Sequence, residues 1–571
     1  MDNQIPKPLI ITISLVQGIL LTLLYQSVEH KVWPGTEPLW LIPLVTFSMS
    51  LPLLTLLSIT KTNGKATLKY LLPFTLLLSV LGAYVGYQQE PIEFVNNSSV
   101  IAIFCFTALI AAFKALMYIQ QYLSNEEISY SSLFKLSWRN FIIFGECWLF
   151  VLIFWGILHL GAGLFSVLEI EFFKELLRKD WFVIPVLNLA FGFAIIVFRN
   201  IIFTVDNIST ILQTLIKFLL PALTVISLGF LATLPFTGLD TLWKTGSGSL
   251  LVMWLQALTL FFVNAVYQDA SHERPYHIIL HRLIFIGVAV LPIYSLISIY
   301  GLWLRIDQYG LSVDRCWAVL ICILLACFSF GYLIGIIKKR DAWLETLSKV
   351  NISMGIVVLV FMLLVNSPLL NFQSISVSSQ LSRLHDGEIT YEEFDYQYFD
   401  RSLGRQGYLE LQTLKTELKG SAPEKVAIID RMYVNHQNIE KEQLSIGDFN
   451  QFVNYWPHKN EFPASLIKAV YSEETKNEWT TYRDNNYYFI AKDLNGDSEL
   501  DYIVIEENNN STSADLWFLK DEQWKSKYMQ TSNPNENRFI KDYLLHDKVE
   551  VIRPKWKNLK IGDLTFRTSL D

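Results

Sequence analysis

With 571 residues, a mean hydropathy of +0.32, 52% hydrophobic and only 17% charged residues, the chain is too apolar for an ordinary globular enzyme and far too apolar for a disordered one. The formal net charge of −7 is unevenly spread: from Asn366 onward 24 Lys and Arg stand against 33 Asp and Glu, and so acidic a tail excludes nucleic acid as a partner. Its five cysteines (Cys105, Cys147, Cys316, Cys322 and Cys327) all precede that tail and show no CxxC pair, which excludes a disulfide framework and a cysteine-based zinc site.

Eleven apolar stretches come first, over 8–28, 39–60, 68–87, 97–119, 140–160, 181–198, 212–234, 249–267, 278–301, 314–337 and 349–365. Each is close to the roughly 17–25 residues that a hydrocarbon core requires, and each must be helical because hydrocarbon offers a backbone no partners. The first has a weak basic start, only Lys7, and no small-residue cleavage pattern, so it is expected to remain as an anchor. Lys61, Lys65, Lys69, Lys135, Arg139, Arg199, Arg274, Arg282, Lys338, Lys339, Arg340 and Lys349 gather at one set of alternate loops, against Lys31, Lys174, Arg178, Lys179, Lys244, Arg305 and Arg315 at the other, where the loop from Glu90 to Asn96 has no basic residue. The bias of Lys and Arg toward the cell interior places the amino terminus in the cytoplasm and, after an odd number of spans, the tail outside it. Were 181–198 an interfacial helix, the tail would change sides. Between the fifth and sixth spans, LFSVLEIEFFKELLRKD (164–180) has apolar residues at helical spacing and Glu169, Glu171, Lys174, Glu175 and Arg178 opposite, the pattern of a helix lying in the interface plane as connector or as lipid sensor.

Ionisable groups within spans are few. Lys114, near the end of the fourth span, and Glu146, in the fifth, fall at similar depth, so they read as an ion pair, as two snorkelling side chains, or as an intramembrane polar site together with Asn264. Gln17, Asn188, Gln256 and Asn264 are the neutral polar residues singled out in the spans, where such groups commonly bond a neighbouring helix; Pro52, Pro221 and Pro292 interrupt spans without any visible inverted repeat. The short loop between the ninth and tenth spans concentrates Arg305, Asp307, Tyr309, Asp314 and Arg315, a set able to clamp two helix ends or to hold a lipid headgroup or other ligand, with Asp314 as helix cap. Asn366-Ser367-Pro368 ends the last span.

From about 375 to 441 the pattern is helical, broken at Gly420-Ser421-Ala422-Pro423, and Gly404 to Gly407 lacks the spacing of a phosphate loop. Beyond Phe462 come four strand-like runs, Tyr487–Asp493, Asp501–Glu507, Ala514–Asp521 and Gln523–Met529, expected as a small antiparallel sheet. Its first hairpin holds DLNGDSELD, in which Asp493, Asn495, Asp497 and Asp501 fall at positions 1, 3, 5 and 9, and Glu499 can add its backbone carbonyl; one tight loop thereby aims several oxygens at a hard cation, calcium above all. It is not an EF-hand, because Val504 stands at position 12, Ser498 at position 6, and strands flank it. It resembles instead the calcium loops of FG-GAP-type propeller blades, without their sixth-position glycine and without repeats. A structural calcium staple and a metal-free turn held by Asx bonds both remain open.

Several longer segments carry a family resemblance: WRN (Trp138–Asn140), PFTGLDTLWKTG (Pro235–Gly246), MWLQALTLFFVNAVYQD (Met253–Asp269), IYGLWLRIDQYGLSVDRCWAVL (Ile299–Leu320), VNSPLLNFQSISVSSQLSRL (Val365–Leu384) and FDYQYFDRSLGRQG (Phe394–Gly407). From Trp138 to about Gly407 the chain resembles the bacterial multi-pass membrane proteins grouped as domain of unknown function 4153. The resemblance implies a bacterial inner-membrane location and no activity.

The sequence therefore predicts an all-α polytopic membrane domain (1–365), a helical neck (366–460) and a small β-rich α+β soluble domain (461–571) outside the cytoplasm. No nucleophile or acid/base cluster marks an enzyme, and His385, His436, His458 and His546 are scattered. An envelope scaffold or sensor with the bilayer and envelope proteins as partners, the latter through surfaces such as Trp517, Trp524 and Trp556, is the first reading. A transporter or lipid-handling protein is the alternative.

Overall fold

The computed structural model describes residues 5–95, 98–124, 127–239, 242–243, 248–267, 275–420, 422–433, 449–474, 486–494, 500–507, 512–520, 523–529, 559–561 and 564–566. Among the described residues eleven helical segments are long and apolar enough to cross a membrane. They are α1 (Lys7–Glu29), α2 (Pro38–Ser58), α3 (Gly64–Tyr87), α4 (Ser98–Leu123), α5 (Tyr130–Val167), α7 (Asp180–Asn200), α8 (Ile202–Thr237), α9 (Gly248–Val266), the pair α10 (Ile278–Ala289) and α11 (Leu291–Tyr309), α12 (Val313–Lys339) and α13 (Trp343–Leu364). The segment 181–198 is thus one of the span-length helices.

The region 164–180 departs from expectation. Its first residues continue α5 to Val167, and only a five-residue helix, α6 (Phe172–Leu176), follows. Glu169 adopts φ +62, which no helix tolerates, and Ser166 Oγ donates to Glu171 at 2.8 Å across the break. The ninth span is two helices rather than one: Pro292, which has no N–H to give, opens α11, and the buried hydroxyl of Tyr294 just beyond it donates to the carbonyl of Ser227 in α8 at 2.5 Å.

Two apolar cores organise these helices. One joins α1, α2, α3, α4, α5 and α7 through Ile10, Leu56, Leu71, Leu116, Ile143 and Ala194; the other joins α8 to α13 through Leu220, Val263, Ile284, Leu291, Tyr332 and Leu347. At the crossing of α1 and α7 a Cβ on Gly18 would sit 2.6 Å from Pro185 Cα, so only glycine allows that approach. Polar side chains cross between helices as well: Gln256 in α9 donates to Ser295 and Ser329, each at 2.7 Å, and Asn140 in α5 to Gln120 in α4 at 2.8 Å. The two cores meet where α4 packs along α12 and α13 over Ala111, Leu320 and Met354.

After a short turn at Pro368–Leu370 come the neck helices α14 (Phe372–His385), α15 (Tyr396–Ser402), α16 (Gly404–Leu418) and α17 (Pro423–Met432), packed around Phe399, Leu403, Leu411 and Leu414. They dock on the loops opposite the basic ones. Arg405 donates to Glu90 O at 2.8 Å and stacks 4.2 Å above the Tyr87 ring, and Arg383 donates to Gln308 O at 2.9 Å.

The chain divides into two compact units, Met1–Val434 and Asn435–Asp571. In the second, a five-stranded sheet runs in the order β1 (Val453–Trp456), β2 (Asn486–Lys492), β3 (Asp501–Glu507), β4 (Thr512–Lys520), β5 (Gln523–Met529). It is not wholly antiparallel: β1 pairs parallel with β2, Val453 opposite Tyr487, and a parallel pair needs a crossover, supplied in part by α18 (Ala464–Glu474). Tyr487, Phe489 and Ala491 alternate onto one face and pack with Leu466 and Val470 of α18. Trp517, expected as a partner surface, is instead buried in this core, and Trp524 donates its indole N–H to Ser465 Oγ at 3.1 Å; Trp556 lies outside the described residues. A separate ribbon pairs β6 (Leu559–Ile561) with β7 (Leu564–Phe566).

Candidate functional site

The seam between the two membrane cores holds a cavity of about 410 Å³, within the roughly 300–1,000 Å³ typical of ligand pockets. Its walls come from both cores, α4 and α5 on one side and α9, α12 and α13 on the other. All the polar lining lies toward the ends of those helices that meet the basic loops: Lys114 and Tyr118 in the last turns of α4, Tyr130 and Ser137 in the first turns of α5, Asn264 at the end of α9 and Asn351 near the start of α13. The remainder is mainly aromatic, with Phe113, Phe134, Trp138, Phe141, Phe261 and Phe328.

Hydrogen bonds fix the polar wall. Asn264 Oδ1 accepts from the buried Tyr332 hydroxyl at 2.8 Å and from Asn351 Nδ2 at 2.7 Å, and Tyr332 also contacts Asn351 Oδ1. Tyr130 donates to the Asn264 carbonyl at 3.3 Å and Tyr118 to the Ile352 carbonyl at 2.7 Å, so both hydroxyl protons are engaged. Several donors are left over: among the described residues the Asn264 amide nitrogen, the Ser137 hydroxyl and the Trp138 indole N–H have no acceptor, and the Lys114 ammonium has neither an ion-pair partner nor a hydrogen bond. Among the described residues no Asp or Glu lines the cavity.

The residues anticipated from sequence are partly brought together. Lys114 and Asn264 share this cavity; Glu146 does not, no ion pair joins it to Lys114, and one of its carboxylate oxygens is buried without a partner. Gln17 reaches Met49 O in α2 at 3.5 Å, whereas Asn188 bonds back to Ile184 O in its own helix at 2.9 Å. Tyr118, Tyr130, Tyr332 and Asn351 were not anticipated. Asn351 was the detectable one, a polar residue just inside the last apolar stretch.

At the other end of the bundle, the guanidinium groups of Arg305 and Arg315 lie 5.9 and 5.4 Å from the Tyr309 ring, and Arg315 donates to Gly310 O at 2.7 Å. Asp307 makes no hydrogen bond or ion pair among the described residues. The cap of α12 is Ser312, whose Oγ accepts from Arg315 N at 3.3 Å, rather than Asp314. The loop is gripped chiefly by the neck: Gln380 donates to Tyr309 O and Leu311 O, Ser379 Oγ accepts from Leu311 N at 2.9 Å, and Tyr398 Oη from Val313 N at 2.9 Å. The neck thereby takes up backbone groups of the loop from Gln308 to Val313, while Arg305 and Arg315 bond carbonyls of the membrane part at Trp243 and Gly310.

In the second unit β2 and β3 form the expected hairpin, closing at Lys492 opposite Asp501, and Asp501 Oδ2 accepts from Leu494 N at 2.9 Å. Asn495, Asp497 and Glu499 lie outside the described residues. Among the described residues no three His, Cys, Asp or Glu side chains converge as metal ligands.

No curated protein and no solved structure matches the chain. A family model matches residues 2–414, from the first helix through most of the neck and well beyond the stretch that starts at Trp138. The chain belongs to the family described as Domain of unknown function (DUF4153).

Proposed function

We propose that this membrane protein binds an amphiphile drawn from the bilayer, a lipid-handling or transport role that takes precedence over a bare envelope scaffold. The seam cavity carries the reading, since its polar groups gather at one end and its aromatic wall reaches the lipid-facing surface. Phe141 and Phe261 line it and are 62% and 53% exposed, and in a bundle of membrane spans exposed apolar side chains face acyl chains. An opening toward lipid at the depth of acyl chains admits a molecule with a tail more readily than a water-soluble solute. The test is native mass spectrometry of the purified full chain: bound lipid is expected on the wild type and lost in Ser137→Trp, whose indole fills the cavity, at unchanged melting temperature. Lipid retained in full by the variant, or absent from the wild type, would end this reading.

We further propose a bacterial inner-membrane location, with the amino terminus in the cytoplasm and the neck and second unit outside. The support is the basic loops at one end and the docking of the neck at the other. In that compartment the unit Asn435–Asp571 offers an envelope sensor or scaffold module coupled to the cavity protein. We assign its loop Asp493, Asn495, Asp497, Glu499 and Asp501 a structural calcium ion, supported by the ligand spacing and by the hairpin that brings Asp493 and Asp501 to one end of the sheet.

A further inference from the structure

The geometry points to the class of occupant: an acidic amphiphile, its carboxylate or phosphate headgroup held by the Lys114 ammonium and the Asn264 amide, its acyl chain against the aromatic wall of the seam cavity. This inference rests on the cavity reading above and adds the sign of the headgroup.

Charge balance is the first ground. A cation within a membrane helix is costly, a cost normally offset by a carboxylate or by reaching water. Lys114 lines a cavity in which no acidic side chain is present among the described residues, and Glu146, the acid at similar depth in the next span, does not pair with it. An anionic ligand completes the pair.

Hydrogen-bonding capacity is the second ground. Of the polar groups lining the cavity, the tyrosines Tyr118 and Tyr130 have given their protons to backbone carbonyls, and Asn264 Oδ1 is saturated by Tyr332 and Asn351. Lys114 Nζ and Asn264 Nδ2 remain as open donors, with the Ser137 hydroxyl and the Trp138 indole N–H beside them among the described residues. A charged donor accompanied by neutral ones suits the several acceptor oxygens of a carboxylate or phosphate. A choline or ethanolamine headgroup would bring a second cation next to Lys114 with no carboxylate to meet it.

Position is the third. Lys114 lies at the headgroup end of its helix, while Phe141 and Phe261 open toward the bilayer, so a lipid can keep its chain among acyl chains while its acid group turns inward.

The test uses the purified full chain in detergent micelles, titrated with dioleoyl phosphatidic acid, palmitate and dioleoyl phosphatidylcholine and read by native mass spectrometry and tryptophan quenching. The wild type is expected to bind the two acids at least about tenfold more tightly than phosphatidylcholine, the scale of one charge-assisted hydrogen bond. Lys114→Gln is expected to erase that preference and Lys114→Arg to keep it. Equal binding of all three lipids to the wild type would overturn the acidic class while leaving the cavity reading intact, and needs no variant to fold. Displacement of phosphatidic acid by inorganic phosphate at comparable concentration would overturn the acyl-chain requirement and mark a site for soluble anions. Lipid binding unaffected by Ser137→Trp would instead remove the cavity itself from consideration.

Discussion

Single polar side chains in the membrane unit are satisfied chiefly by backbone. Arg199 is buried, and its guanidinium donates to Leu56 O at 2.6 Å and Ile59 O at 3.0 Å, where the last carbonyls of α2 lack helical partners and the helix dipole is negative. Lys114 has no such backbone partner, which is what sets it apart. In the neck, Asp400 shows the opposite economy: burial pushes its carboxyl above the ordinary value of 3.8, more than the Tyr433 hydroxyl and Arg401 lower it. A raised acid binds more protons in the native than in the unfolded state, so its contribution to stability falls as pH rises through the window above 3.8. Asp400→Asn is therefore expected to raise the melting temperature at pH 7, by on the order of 1–2 °C, and to bring no gain below the ordinary value, where both states are protonated. Equal gains at both pH values would show that the charge is not the cause. Lys114 and Asn264 were legible in the sequence because charge and amide stand out in an apolar run. The pairing of Lys114 with Glu146 failed because equal depth leaves rotation about each helix axis free, and tyrosine hydroxyls gave no signal because tyrosine is ordinary in membrane helices.

Elements were read most reliably where one force decides. Hydrocarbon forces every span into a helix, so all eleven apolar stretches correspond to span-length helical segments. Where competing local forces matter the reading loses detail: 164–180 has a helical apolar period, yet Glu169 in a left-handed conformation and the Ser166–Glu171 bond shorten it to five residues. The four long strands were visible from alternation, but β1, four residues with Asn454 in the middle, has no such pattern and is specified by its parallel partner. The hairpin between β2 and β3 carries its own prediction. If the loop takes calcium, about 1 mM calcium should slow amide hydrogen exchange across Tyr487–Lys492 and Asp501–Glu507 in the full chain several-fold, since a ligand that binds only the folded loop stabilises the strands it closes. The double substitution Asp493→Ala with Asp497→Ala should abolish that slowing. Exchange indifferent to calcium would leave the loop as a metal-free turn with the Leu494 to Asp501 hydrogen bond at its base.

On the scale of the whole molecule, the division of the spans into two apolar cores creates the seam, and the seam creates the cavity. None of this was readable from one sequence, because which span meets which is set by side-chain fit and not by hydropathy. Orientation is different, since it needs only the ends. The sequence argument depended on the parity of eleven spans and on 181–198 being one of them. Docking of the neck supplies an independent constraint: Arg405 and Arg383 reach the loops after α3 and α11, both at the end away from Lys61, Lys65, Lys338 and Lys339. Basic loops favour the cytoplasm, so the proposed orientation puts the neck on the other side without depending on the span count. All five native cysteines lie within the membrane spans, which makes single engineered cysteines informative. In intact cells a membrane-impermeant maleimide is expected to label Asp386→Cys, exposed at the end of α14, and to leave Lys338→Cys, exposed in the last turn of α12, unlabelled until the membrane is permeabilised. The reverse pattern would turn the protein over in the bilayer, move the seam cavity's polar end to the outer leaflet and remove the proposed calcium site from a compartment rich in calcium.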